Sequence, residues 1–290
     1  QVNRNCIPEA AGSLMLSQRF FNLTPLRATR DVEGFLDRIR QMRKGTTSTT
    51  WFRGHSSARL HLLIPSAGRP HCYNGKSVTF SPRQEHFLLH RFRRRAYPLV
   101  GRVLNEWDAL FLGRHHSLPT RLLDWTRNAL AGLYFASVHH QDEDGDVWAI
   151  VRHDDTQYDL DVLRLSQSRR GRDGPLQIYG SPRRERANAK QTLDAVKIIH
   201  PFYNSPRIVS QDGAFTLHSR PARPLDTYAG LRFLEARLDI AHLFRIPVLA
   251  RGKRRIISEL DSLGVNRRTL FPDLDGISQG LWETEVLWRG

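Results

Sequence analysis

The sequence predicts an α+β fold, a single mixed-sheet domain with several surrounding helices. Three observations point there. Helical-period segments and short β-branched or aromatic runs are interspersed irregularly, not as repeating strand–helix–strand units. There is neither an internal repeat nor an interdomain linker. The chain has 290 residues, 40% hydrophobic and 25% charged, enough for one large core without a disulfide or metal staple. Residues 1–30 show little periodicity and are read as an N-terminal extension, with 31–290 as the domain.

The elements follow in order. Val32, Phe35, Leu36, Ile39 and Met42 repeat at helical spacing behind an Asp31 N-cap, and the Gly-Thr-Thr-Ser-Thr-Thr run at 45–50 ends that helix. Trp51-Phe52-Arg53-Gly54 reads as a strand end. Ser81-Pro82-Arg83-Gln84 is a capping-box start for a helix expected to turn Phe87, Leu88 and Phe92 inward. Another helix is expected from Asn105, burying Trp107, Leu110 and Phe111, and a small-residue helix across 126–138. Strands are expected at 147–151, 196–199, 214–217 and 243–249. Residues 154–192 read as polar and loop-like. Lys253 to Leu263 is an amphipathic helix stopped by Gly264.

Composition narrows the partners. Lys plus Arg number 44 against 29 Asp plus Glu, a net charge of +15 dominated by Arg. Guanidinium forks bind phosphate bidentately, so nucleic acid is the expected partner, with NAD, other nucleotides and anionic lipid sharing that chemistry. Arg91, Arg93, Arg94 and Arg95 on the Ser81 helix are where nucleic acid is placed, although a solvated helix face would look the same. Cys6 and Cys72 form neither a disulfide framework nor a metal knuckle, and no apolar run spans a bilayer. A cytoplasmic protein without a membrane segment or a metal is expected. Walker loops, Gly-x-Gly-x-x-Gly turns and nucleophile elbows are absent from the sequence.

Three segments set polar groups among stiff apolar anchors. In Trp51-Phe52-Arg53-Gly54-His55, Arg53 is either held for a ligand or paired with a core carboxylate, and Gly54 would let a ligand approach the backbone. In the run from His115 to Thr126, the polar His115, Thr120, Arg121 and Asp124 lie beside Pro119, Leu122, Leu123 and Trp125. Burying them requires partners or a ligand, and Arg121 with Asp124 could serve each other. Thr126 would cap the next helix, whose N-terminus suits a phosphate. In the third segment, Gln211 precedes a glycine bend in Arg207-Ile208-Val209-Ser210-Gln211-Asp212-Gly213-Ala214-Phe215, where its amide faces either a ligand or the backbone.

Phe52-Arg53-Gly54, His115 to Thr126 with Gly132-Leu133-Tyr134-Phe135-Ala136, Arg207 to Phe215 and Phe271 to Gly276 follow one another in the order of the FRG-domain family. The chain resembles that family across about 50–280. It departs from the family pattern at Arg114, where Gln is usual, and at Ser117, where Gly is usual. The order of an early strand Arg, a Ser/Thr segment entering a helix and a late Gln or Glu also resembles mono-ADP-ribosyltransferases. That similarity implies an ADP-ribosyltransferase-like fold and NAD as substrate. Arg53 would clamp NAD, Thr120 and Thr126 would line the nicotinamide side, and Gln211 would take the late position. As an amide, Gln211 orients but does not act as a base. Glu283-Thr284-Glu285 is a second candidate for the late position.

Three functions are therefore expected. The first is an ADP-ribosyltransferase-like enzyme acting on nucleic acid or another macromolecule, in the manner of a toxin or defence effector, with Arg53, Gln211 and His115 catalytic. Around them Gly54, Thr120, Arg121, Asp124 and Thr126 would bind NAD. The alternative is a non-catalytic nucleotide or nucleic-acid binding module. The third is a metal-independent phosphodiesterase using His115 and His116.

Overall fold

The computed structural model describes residues 24–43, 49–59, 63–74, 76–152, 160–161, 196–200, 206–218, 220–227 and 241–283. Strands β1 (Thr24–Pro25), β2 (Thr49–His55), β5 (Leu122–Thr126), β6 (Gly145–Arg152), β7 (Leu160–Asp161), β8 (Val196–His200), β9 (Gly213–His218) and β10 (Ala241–Val248) form one sheet. Its order is β1-β10-β6-β2-β5-β9-β8-β7. The six inner strands are antiparallel, and β1 and β7 add parallel edges. The short hairpin of β3 (His71–Tyr73) and β4 (Lys76–Val78) stands apart. The mixed-sheet α+β expectation holds. Residues 24–29 run along β10, with Thr29 bridging to Val248.

The helices with strong local signals form where expected. Helix α1 (Val32–Met42) starts at Asp31, whose carboxylate accepts from Gly34 N, and buries Val32, Phe35, Ile39 and Met42. Helix α2 (Pro82–Val100) opens on the Ser81–Gln84 capping box. Helix α3 (Glu106–His115) is capped by Asn105 and buries Trp107, Leu110 and Phe111. Helix α4 (Ala129–Ser137) is capped by Asn128, whose Oδ1 accepts from Leu130 N and Ala131 N. Thr126 is therefore not the cap, and those amides are already hydrogen-bonded. A short helix α5 (Pro206–Ser210) precedes β9, and α6 (Lys253–Ser262), α7 (Arg267–Leu270) and α8 (Leu274–Trp282) follow β10. No helix among the described residues is long and apolar enough to cross a membrane.

Helices α1, α4 and α6 cover one region of the sheet, packing Phe35, Leu133 and Ile256 on Phe52, Val147, Ala149 and Ile246. Helices α2 and α3 cover another, packing Leu89, Leu110 and Phe111 on Leu122, Phe215 and Leu217. Between these regions the sheet opens. Strands β2 and β5 pair at the single register Phe52↔Thr126, whereas β2 and β6 pair from Thr49↔Arg152 to His55↔Asp146.

A buried histidine on β9 gives the fold a pH dependence. Trp125 Nε1 donates to Thr216 Oγ1 at 2.9 Å, and Thr216 Oγ1 lies 2.9 Å from His218 Nε2. Burial, reinforced by Arg53 and Arg121, pushes the His218 imidazole down to about 3. The folded state thus holds it neutral, while the unfolded chain takes a proton below the ordinary histidine value of 6.5. The stabilisation is complete above pH 6.5 and is lost as pH falls toward 3, at up to about 1.4 kcal/mol per pH unit. Urea unfolding from pH 7.5 down to pH ~4.5 should show this slope, reduced in His218→Gln. Equal slopes in the two proteins would remove His218 as the cause.

Candidate functional site

A cavity of about 350 Å³ lies where β2 and β5 part, closed by α3, α4, α5 and the segment before β3. Four arginines line it, Arg53, Arg69, Arg114 and Arg207, against the single carboxylate of Asp124. Arg53 Nη1 donates to the Asp124 carbonyl at 2.7 Å, a group freed by the parting of the strands, and its Nε donates to His55 Nε2 at 2.8 Å. Arg114 grips the Asp124 carboxylate with two nitrogens, Nε to Oδ1 at 2.9 Å and Nη2 to Oδ2. Arg53 Nη1 also lies 3.6 Å from Oδ2. Asp124 thereby serves both cations, so the reading of Arg53 as paired with a carboxylate holds alongside its place in the cavity.

The charge arrangement sets the protonation states. Burial pushes the Arg53 guanidinium down to about 9, with Asp124 opposing and Arg69 and Arg114 adding to the fall. It remains a cation at neutral pH. Burial also raises the Asp124 carboxyl, but Arg114, Arg53 and Arg207 overcome it and hold that group well below the usual carboxylate range. Burial and the nearby Arg207 and His116 lower His115, which is neutral at pH 7. The cavity is therefore a site of excess positive charge in a partly desolvated setting, where electrostatic attraction is stronger than in water.

The residues singled out from the sequence separate here. Arg53, Gly54, His115, Asp124, Thr126 and Gln211 line the cavity. The Thr126 hydroxyl donates to the Gln211 carbonyl and accepts from Asn128 N, tying the end of β5 to the turn before β9. Gln211 Nε2 donates to Leu270 O at 2.9 Å, which leaves Oε1 as the acceptor end of that amide. Thr120 and Arg121 lie outside the lining. Thr120 is buried against Ser66, its N–H donating to Ser66 Oγ at 3.1 Å. Arg121 is fully buried and pairs with Glu85 of α2, not with Asp124. Gly54 also admits α4, because a Cβ there would sit 2.0 Å from Gly132 O.

Other expectations are corrected as well. Arg93 turns away from the basic face of α2, its Nε donating to Leu104 O at 2.9 Å. Arg91, Arg94 and Arg95 are exposed. His116 is exposed and does not line the cavity. Glu283 pairs with Arg267 at 2.9 Å, also away from the lining, and Glu285 lies outside the described residues. Sequence reasoning missed Arg69 and Arg207 as cavity cations, as well as His55 and His139. Arg207 stood inside a segment already singled out, so its charge was a usable signal.

Residues 48–145 match the FRG domain family model. This stretch is similar to the FRG domain. The match takes in Arg53, Arg69, Arg114, His115 and Asp124, most of the cavity's charged lining, and ends before Arg207 and Gln211. No curated protein and no solved structure matches the chain. Within the matched stretch the two departures from the family pattern have distinct consequences. Ser117 has φ 63°, the left-handed region that glycine adopts at least cost, so a Gly-like backbone is kept with a serine. Arg114, in place of the usual Gln, adds a cation that is neutralised in part by Asp124.

Proposed function

We propose that this chain binds NAD in the arginine-lined cavity and cleaves its nicotinamide–ribose bond, as an ADP-ribosyltransferase-like enzyme. The supporting observation is four guanidiniums and one carboxylate around a single cavity, an arrangement suited to a pyrophosphate. The roughly 350 Å³ volume falls in the range of small-molecule sites. Arg53, on β2, would hold the pyrophosphate. Gln211, before β9, would accept a hydrogen bond from a ribose hydroxyl through Oε1. Nicotinamide leaves with the electron pair of the broken C–N bond, and the acceptor bonds to the ribose carbon. His115, neutral at pH 7, would take the acceptor's proton. Transfer to a macromolecule in the cytoplasm, with a toxin or defence role, is the setting this reading implies.

One observation favours a second reading. Asp124 is held by both Arg114 and Arg53, and the late position carries an amide, so the lining among the described residues offers no carboxylate left over to stabilise an oxocarbenium-like transition state. Nucleotide binding without turnover fits that arrangement. Nicotinamide release, measured with and without DNA and RNA, separates the two. Release by wild type that falls about 100-fold or more in Arg53→Ala supports the transferase. Arg53→Lys, which keeps the charge but loses the fork, should recover only part of it. Calorimetric NAD binding without release under any condition would establish the binding module instead.

A further inference from the structure

The exposed face of α2 combines cations with aromatic rings. Arg83, Phe87, Arg91, Arg94 and Tyr97 recur at spacings of three and four and so share one stripe, with Arg95 beside it. Phe87 and Tyr97 are 56% and 53% exposed, although large rings are normally drawn into a core. The Arg91 guanidinium sits 4.5 Å from the Phe87 ring centre, holding a cation against a π-face. The helix's only acidic residue, Glu85, is buried and committed to Arg121. The stripe therefore carries cations and rings without a compensating carboxylate of its own.

We propose that this face of α2 binds single-stranded nucleic acid, with Arg83, Arg91, Arg94 and Arg95 on phosphates and Phe87 and Tyr97 stacking bases. Ten residues separate the two rings, about 15 Å along the helix axis. Cations tracking a backbone beside rings that accept any base are what strand binding without sequence preference requires. A duplex keeps its base faces stacked and would leave both rings unused. A membrane surface requires a continuous apolar face opposite a polar one, whereas this stripe alternates the two. The proposal is independent of the cavity, since none of these residues lines it.

The test is fluorescence anisotropy of labelled twenty-nucleotide oligothymidine and oligouridine, the matching duplex and phosphatidylserine vesicles, each across a salt series. Arg91→Ala/Arg94→Ala/Arg95→Ala should weaken single-strand binding and reduce its log–log salt slope by about 2. Phe87→Ala/Tyr97→Ala should weaken it about tenfold or more while leaving the slope unchanged. Arg53→Ala should change neither. A control with Arg40, Arg251 and Arg254 changed to Ala removes the same charge from other exposed positions. If that control loses as much as the α2 variant, binding is a property of net charge and the proposal fails. It fails equally if the ring variant is without effect, or if duplex or vesicles bind as tightly as single strands. Thermal unfolding of each variant establishes that it is folded.

Discussion

Arg121→Met is expected to destabilise the protein by about 3–5 kcal/mol, the usual cost of leaving one member of a buried ion pair without its partner. Arg121 is fully buried and Glu85 nearly so. Arg121 Nε lies 2.9 and 3.1 Å from the two carboxylate oxygens, Nη2 donates at 2.6 Å, and Arg121 N adds a bond of 3.2 Å to Oε1. Removing the guanidinium strands a carboxylate under α2. The double variant Arg121→Met/Glu85→Leu should recover most of the loss, because an apolar pair of similar volume carries no desolvation penalty. Urea unfolding of the single and double variants measures both. A single variant within about 1 kcal/mol of wild type would show that water reaches Glu85 and that the pair is not a structural requirement.

The same pair explains what the sequence left illegible. Local signals placed α1, α3 and the start of α2 correctly, because an N-cap or a capping box acts within one turn. The rotation of α2 about its axis differs from the sequence expectation: the pattern places Phe87 inside, whereas Glu85, Leu89 and Ala96 are buried on one face. A carboxylate pointing inward sets that rotation, and its partner is 36 residues away in sequence. A hydrophobic pattern holds no record of such a pairing. Likewise β1 is two residues long and owes its strand character to Phe244 and Arg245 beside it, not to its own propensity.

The site was legible where polar groups stood among rigid apolar anchors. Arg53, His115, Asp124 and Gln211 were found that way and share the cavity. Thr120 and Arg121 were grouped with them because they share a run with Asp124. Successive residues entering a strand face opposite sides, and the approach to β5 sends Arg121 under α2 instead. Arg69 was missed because it sits between Gly68 and Pro70 in an irregular stretch with no periodicity. Its Nε donates to Ile64 O at 2.8 Å, a loop contact that only the folded chain defines.

Gly54→Ala is expected to destabilise the fold by about 3 kcal/mol or more, at the upper end of overpacking effects. A methyl group there would meet Gly132 O at 2.0 Å and Ala136 N at 2.5 Å, both backbone atoms of α4 that no side-chain rotation can clear. Gly132 answers it from the other side, where an added Cβ would lie 2.9 Å from Phe52 Cβ. The two glycines let α4 lie against β2, which buries Phe52 completely and sets Phe135 and Val138 along the cavity wall. Relief requires α4 to move outward, so the variant should lose nucleotide binding together with stability. Arg53→Ala should lose binding while its unfolding midpoint shifts much less, because Arg53 donates to groups at the cavity edge and not to the packed core. The Phe-Arg-Gly segment would then divide by role, with Phe52 and Gly54 holding the helix and Arg53 meeting the ligand. Urea midpoints and NAD calorimetry on the two variants decide it. Gly54→Ala with wild-type stability would mean that α4 can move away from Gly54 without cost, and the close-approach role of Gly54 would fall.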